Sequence, residues 1–302
     1  MSRADELLPI PDRSLPEEGI PGLELTDAHR AHLEIEERFI PGPANQPDVR
    51  VVITQPKSHV NSGGEKLPIL LHFHGGAFCF MHPETFAGME ANWAQHHNCV
   101  VVSVDYRLAP EHKFPAALDD CLTVLDWVAA NAAEIGGDPA RIAIGGDSAG
   151  GNLAAAACQA ARDKGGPAIV FQLLIYPATD FTADMTSPRS NAAGFGLSDV
   201  AIEWMRNCYL NDPFDTTDPR ASPAMARDLS NLPPALIQTA EFDPLHDEGK
   251  AYADAMRAAG NTAIHINYPG MIHGFMRMGA LVDDAALGIS DAAKALRGMF
   301  EK

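Results

Sequence analysis

Arg141-Ile142-Ala143-Ile144-Gly145-Gly146-Asp147-Ser148-Ala149-Gly150 is the stretch on which the fold turns. Its first half is a short apolar run of the kind that fills a strand buried on both faces. Beyond it, residues 152–162 are dominated by alanine, the strongest helix former. Ser148 therefore stands at a strand-to-helix junction, with Gly146 and Gly150 two positions away on either side. Such a junction turns sharply, and glycine is the residue that tolerates the crowding there. The turn lifts the hydroxyl out at the start of a helix whose free N–H groups point towards it. Ser148 is on this reading a nucleophile, and the chain must then supply a base, an acid to orient the base, and donors for an oxyanion.

The same rhythm continues outward from this stretch. Short continuous apolar runs occupy residues 69–73, 99–104, 142–144, 169–175, 235–239 and 263–268. Helical segments fall at 85–97, 116–135, 148–162, 247–259 and 285–300. Strands alternating with helices predict an α/β fold built on a mostly parallel sheet. Upstream, residues 34–40 and 49–54 alternate in polarity around a Pro/Gly turn and read as an antiparallel strand pair. The first thirty residues are broken by Pro9, Pro11, Pro16 and Pro21 and have room for one short helix near Thr26 to His32. One interval breaks the alternation. About sixty residues between Ile175 and Ala235 carry no clear strand, but hold Phe181, Phe195, Trp204, Tyr209, Phe214 and a helix expected over 198–209. An insertion with its own helix and aromatics reads as a lid or binding element.

The partners of Ser148 are sought at the ends of the predicted strands, where sites in such sheets form. Directly after the strand 69–73 comes His74-Gly75-Gly76-Ala77-Phe78. Adjacent glycines let the backbone turn its N–H groups into a site, so Gly75 and Gly76 are expected to join Ala149 as oxyanion donors. His74 is expected to shape the loop by hydrogen bonding. His273 follows the last strand and is best placed of the twelve histidines to act as base. The acid belongs after the preceding strand, in the order serine, acid, histidine. Asp243 is early enough to stay in that loop, whereas Asp247, the second choice, and Glu248 fall in the first turn of the next helix. Asp243 would hold the imidazole in the right tautomer and stabilise its charged form. Phe78, Phe181, Phe195 and Trp204 are candidate walls of the substrate pocket, with lid packing as the other reading of each.

Composition narrows the partners. With 302 residues the chain is long enough for one large domain and a small lid. Forty acidic against 22 basic residues give a net charge of −18, which disfavours nucleic acid and anionic membrane surfaces. No apolar run is long enough to span a bilayer, and the first twenty residues show no secretory signal. Five scattered cysteines without a CxxC fit a reducing cytoplasm. His72 and His74 form an HxH pair, but no carboxylates have ligand spacing around it and no H-E-x-x-H occurs, so neither a metal nor a cofactor is expected. The partner expected is a small-molecule ester. Oligomeric state stays open, a homodimer included.

Taken together these residues resemble the hormone-sensitive-lipase-like family of α/β-hydrolases, the bacterial carboxylesterases. The resemblance runs from about residue 35 to the C-terminus. It rests on His74 to Phe78, on Asp105-Tyr106-Arg107-Leu108-Ala109-Pro110-Glu111 leading into Phe114-Pro115-Ala116-Ala117, on Gly146 to Gly150, on Asp243-Pro244-Leu245 and on His273-Gly274-Phe275. It implies an α/β-hydrolase fold with an eight-stranded, mostly parallel sheet flanked by helices and a small helical cap. It also implies Ser148, Asp243 and His273 as a triad that hydrolyses esters of short to medium acyl chains without cofactor. The cap would combine residues 1–45, which include the first strand, with an insertion at about 180–222 in the catalytic domain 46–302. Ala77 departs from the pattern, since the family often has a third glycine there. Amide hydrolysis, acyl transfer and a non-catalytic binding protein on the same scaffold are the alternatives.

Overall fold

The computed structural model describes residues 24–62, 65–182, 196–279 and 281–301. Residues 1–23 of the expected cap, the central part of the insertion, and Phe195 lie outside them. Among the described residues the strands form one eight-stranded sheet in the order β1-β2-β4-β3-β5-β6-β7-β8. β1 (Leu33–Ile40) and β2 (Val49–Pro56) are the antiparallel pair expected from their alternation. β2 also runs antiparallel to β4 (Val100–Asp105), and every other pairing is parallel. The parallel strands are β3 (Leu67–Phe73), β4, β5 (Gly137–Asp147), β6 (Phe171–Ile175), β7 (Ala235–Phe242) and β8 (Ala263–Ile272).

The apolar runs are continuous because both faces are covered. Ile69, Leu71 and Phe73 of β3 join one core cluster, and Leu70 between them joins the other. The same division separates Val100, Val102 and Val104 from Val101, and Ile142 and Ile144 from Ala143. The first cluster is roofed by α4 (Ala116–Asn131), α5 (Ala149–Asp163) and α7 (His246–Ala258). On the opposite face lie α3 (Ala87–His97) and α8 (Asp283–Phe300). The short α1 (Asp27–His32) begins at Thr26, whose hydroxyl accepts the His29 N–H while the His29 ring accepts the Thr26 N–H. That reciprocal cap is what lets six residues hold a helix ahead of β1. α2 (Lys57–Ser62) follows β2.

Between β6 and β7 the described residues contain α6 (Asp199–Tyr209) and two 3₁₀ turns. Ser198 caps α6 by accepting the Ala201 N–H. The far end of α6 is anchored on the domain. Tyr209 stacks on Phe78 with ring centroids 3.7 Å apart and meets Phe114 edge-on. Lys113 Nζ donates to the Asn207 and Leu210 carbonyls, which satisfies the end of the helix.

Candidate active site

The nucleophile turn is built from crowding. A Cβ on Gly146 would lie 2.4 Å from the Gly150 backbone, and one on Gly150 would lie 1.9 Å from the Phe73 carbonyl oxygen. Any side chain at either position would drive β3, β5 and α5 apart. Ser148 itself has φ 56° and ψ −116°, a conformation that costs on the order of 1–3 kcal/mol. Its N–H donates to the Ile175 carbonyl and its carbonyl accepts from Asn152, so the turn is pinned on both sides. With α5 starting at Ala149, the hydroxyl sits at a helix N-terminus.

His273 follows β8 directly. The strand runs to Ile272, four residues beyond the predicted end, because Phe242 and Ile272 pair again after a register shift. That extension carries the imidazole to the serine. Its Nε2 lies 2.9 Å from Ser148 Oγ, and its Nδ1 lies 2.7 Å from Asp243 Oδ2. Asp243 is 1% exposed, and its other oxygen accepts the Leu245 N–H at 2.8 Å. A buried carboxylate fixed in this way orients the ring. Asp247 is exposed in the first turn of α7 beside His246, away from His273.

The glycine loop differs from expectation at one residue. The Gly75 N–H donates to Asp147 Oδ1 at 2.7 Å, so it is already engaged and is not a free oxyanion donor. A Cβ on Gly75 would meet Asp147 Oδ2 at 2.4 Å, which is why this position is glycine. The next two residues take left-handed conformations, Gly76 at φ 112° and Ala77 at φ 58°. Among the described residues their N–H groups have no acceptor, and Ala77 lines the cavity that holds Ser148. Of the expected pair, Gly76 keeps its N–H unengaged among the described residues and Gly75 does not, while the Ala77 N–H is unengaged as well.

Asp147 is 2% exposed. Burial raises its carboxyl above the ordinary value, against the pull of Arg277, His72, the Gly75 N–H and His273. His74 is fully buried, stacks on Tyr106 at 4.2 Å and bonds the Gly75 carbonyl through Nδ1. Burial pushes its pKa down to about 3, so the ring is neutral and shapes the loop. His72 bonds Glu90 through Nδ1, and Ser103 donates to the same carboxylate oxygen. Sequence reasoning missed Tyr176, whose ring packs 4.8 Å from that of His273. The sole signal for it is an aromatic at the end of β6, the strand next to that of the serine.

Above Ser148 lies a cavity of about 390 Å³. Phe78 and Phe181 line it, together with Ile202, Met205 and Leu245. Trp204 is not among its lining residues. The indole stacks on Phe80 at 5.4 Å instead, so of its two readings the structure shows cap packing. Glu248 also reaches the wall, where its Oε1 accepts the Thr179 N–H at 2.6 Å. Burial raises its carboxyl pKa to about 8.

Residues 70–277 match a family model described as the alpha/beta hydrolase fold. The chain is 42% identical over 301 residues to the carboxylic ester hydrolase LipN of Mycobacterium tuberculosis, covering 94% of this chain and 80% of that protein. It is 42% identical over 237 residues to the carboxylesterase NlhH of the same organism, covering 77% and 74%. A hyperthermophilic esterase from the archaeon Pyrobaculum calidifontis superposes with a TM-score of 0.83 at 40% identity, covering 88% of this chain and 83% of the other.

Proposed function

The chain belongs to the alpha/beta hydrolase family, in the hormone-sensitive-lipase-like branch, and from that membership we propose that it is a carboxylic ester hydrolase acting through a serine acyl-enzyme. The observation that carries the reading is the continuous line of contacts from Ser148 Oγ through His273 to Asp243. In this mechanism His273 Nε2 takes the hydroxyl proton as Ser148 Oγ attacks the ester carbonyl carbon. The Asp243 carboxylate stabilises the resulting imidazolium without accepting its proton. The N–H groups of Gly76, Ala77 and Ala149 hold the oxyanion of the tetrahedral intermediate. Collapse of that intermediate breaks the ester C–O bond, and His273 returns the proton to the leaving alcohol. Water, deprotonated by the same imidazole, then releases the acid and restores Ser148.

The cavity over Ser148 suits acyl esters of short to medium chain, with Phe78 and Phe181 as walls. The cap in this reading is α6 with the turns around it. No helix among the described residues is long and apolar enough to cross a membrane. The direct test is turnover of p-nitrophenyl butyrate by Ser148→Ala. The expected result is a loss in kcat of roughly 10⁴-fold or more with the fold retained. Retention of turnover would overturn the proposal.

A further inference from the structure

The catalytic cavity is not the only hollow under the cap. A second cavity, of about 540 Å³, adjoins it, and Phe181 and Arg206 line both. Among the described residues these two alone are shared by the two linings. The cavities differ in chemistry. The inner one meets Ser148 and is walled by Phe78, Ile202, Met205 and Leu245, with Asp180, Asp199, Glu203 and Glu248 also on its lining. The outer one is bordered by Thr182, Asn207, Asn211, Thr216 and Thr217.

Phe181 and Arg206 stand where the two cavities meet. The Phe181 ring leans on the stacked Phe78 and Tyr209 rings, 6.1 Å from each centroid. Arg206 reaches across from α6, with its Nη1 3.4 Å from the Phe181 carbonyl oxygen. One aromatic ring and one guanidinium, the latter on an exposed residue, thus border the end of the space that starts at Ser148.

We propose that Phe181 and Arg206 are specificity-determining residues: together they form an end wall that limits the length of the ester chain accepted beside Ser148, and truncating either side chain opens the catalytic cavity into the polar one beyond. This rests on the esterase reading above. Each methylene that leaves water for an apolar wall raises kcat/KM roughly four-fold, so reactivity climbs with chain length until the wall is met. Past that point a further methylene must fold back or crowd the wall, and the gain reverses. The substrates selected are therefore esters with a compact apolar chain, and the outer cavity is reached only when the wall is cut.

The test is a series of p-nitrophenyl esters from acetate to decanoate, with kcat/KM normalised to acetate for each protein. The wild-type chain is compared with Phe181→Ala, Arg206→Ala and the enlarged Phe181→Trp. The wild type is expected to rise and then break. In Phe181→Ala and Arg206→Ala the break moves to longer chains, raising the octanoate-to-butyrate ratio by roughly ten-fold or more. In Phe181→Trp it moves to shorter ones, which keeps the proposal falsifiable if a truncated variant fails to fold. A break at the same chain length in every folded variant would overturn the wall while leaving ester hydrolysis intact. Wild-type turnover no higher than that of Ser148→Ala on every ester would overturn the esterase reading and the wall with it.

Discussion

Asp147 couples the turn at Ser148 to the glycine loop, because one carboxylate adjoining Ser148 in sequence holds the Gly75 N–H at the end of the neighbouring strand. Asp147→Ala is expected to leave that N–H unpaired, lowering unfolding stability by about 1–3 kcal/mol. It also frees the loop, so kcat should drop about ten- to a hundred-fold with KM little changed, as steady-state kinetics on one ester would show. Next to it, Ala77 holds an L side chain at positive φ. Ala77→Gly relieves that strain at some cost in chain entropy, and a gain of about 0.5–1 kcal/mol is expected in denaturant unfolding. Ser148, Asp243 and His273 were legible because each follows its own strand. The engagement of Gly75 was not, because which N–H in a glycine loop is free depends on a carboxylate 72 residues away in the chain.

At the scale of elements, most of the sheet was readable from apolar runs, and boundaries differ only where tertiary contacts intervene. The helix predicted over 85–97 divides into a 3₁₀ turn, Pro83–Phe86, and α3. β8 runs past Pro269 and Gly270 because its outer edge bears no further described strand that would demand the donor Pro269 lacks, and the Gly270 N–H donates to the Glu241 side chain. The attachment of α6 was not readable, since it depends on Tyr209 meeting Phe78 from a segment far along the chain. That ring is wholly buried, and its hydroxyl has no hydrogen-bond partner among the described residues. Tyr209→Phe should therefore keep the stack and raise stability by about 1 kcal/mol, whereas Tyr209→Ala should cost about 3–5 kcal/mol. Thermal or denaturant unfolding of the two variants measures both.

Over the whole molecule, one buried group, His74, and one half-buried group, Glu248, bound the pH range of stability from opposite sides. His74 ionises at about 3 in the folded chain against an ordinary 6.5, so the unfolded chain binds more protons between those values. Its contribution is present above pH 6.5 and is lost as pH falls towards 3. Glu248 ionises at about 8 against an ordinary 4.5, so here the folded chain binds more protons. Its contribution is present below pH 4.5 and is lost as pH rises towards 8. Glu248→Gln is accordingly expected to flatten the decline between pH 5 and 8 seen in urea unfolding of the wild type. The net charge of −18 adds self-repulsion, which salt screens without altering these two terms' direction. Neither group stands out in the sequence, because the largest cause of both shifts is loss of solvent in the folded chain.

The central claim is that Ser148 carries the acyl group during turnover. Rapid acid quench of the wild-type chain with p-nitrophenyl acetate, followed by peptide mass mapping, tests it most directly. One acetyl group on the peptide containing Ser148, absent from Ser148→Ala, is the predicted result. Turnover with no acylated peptide, or with the acetyl group on another residue, would contradict it.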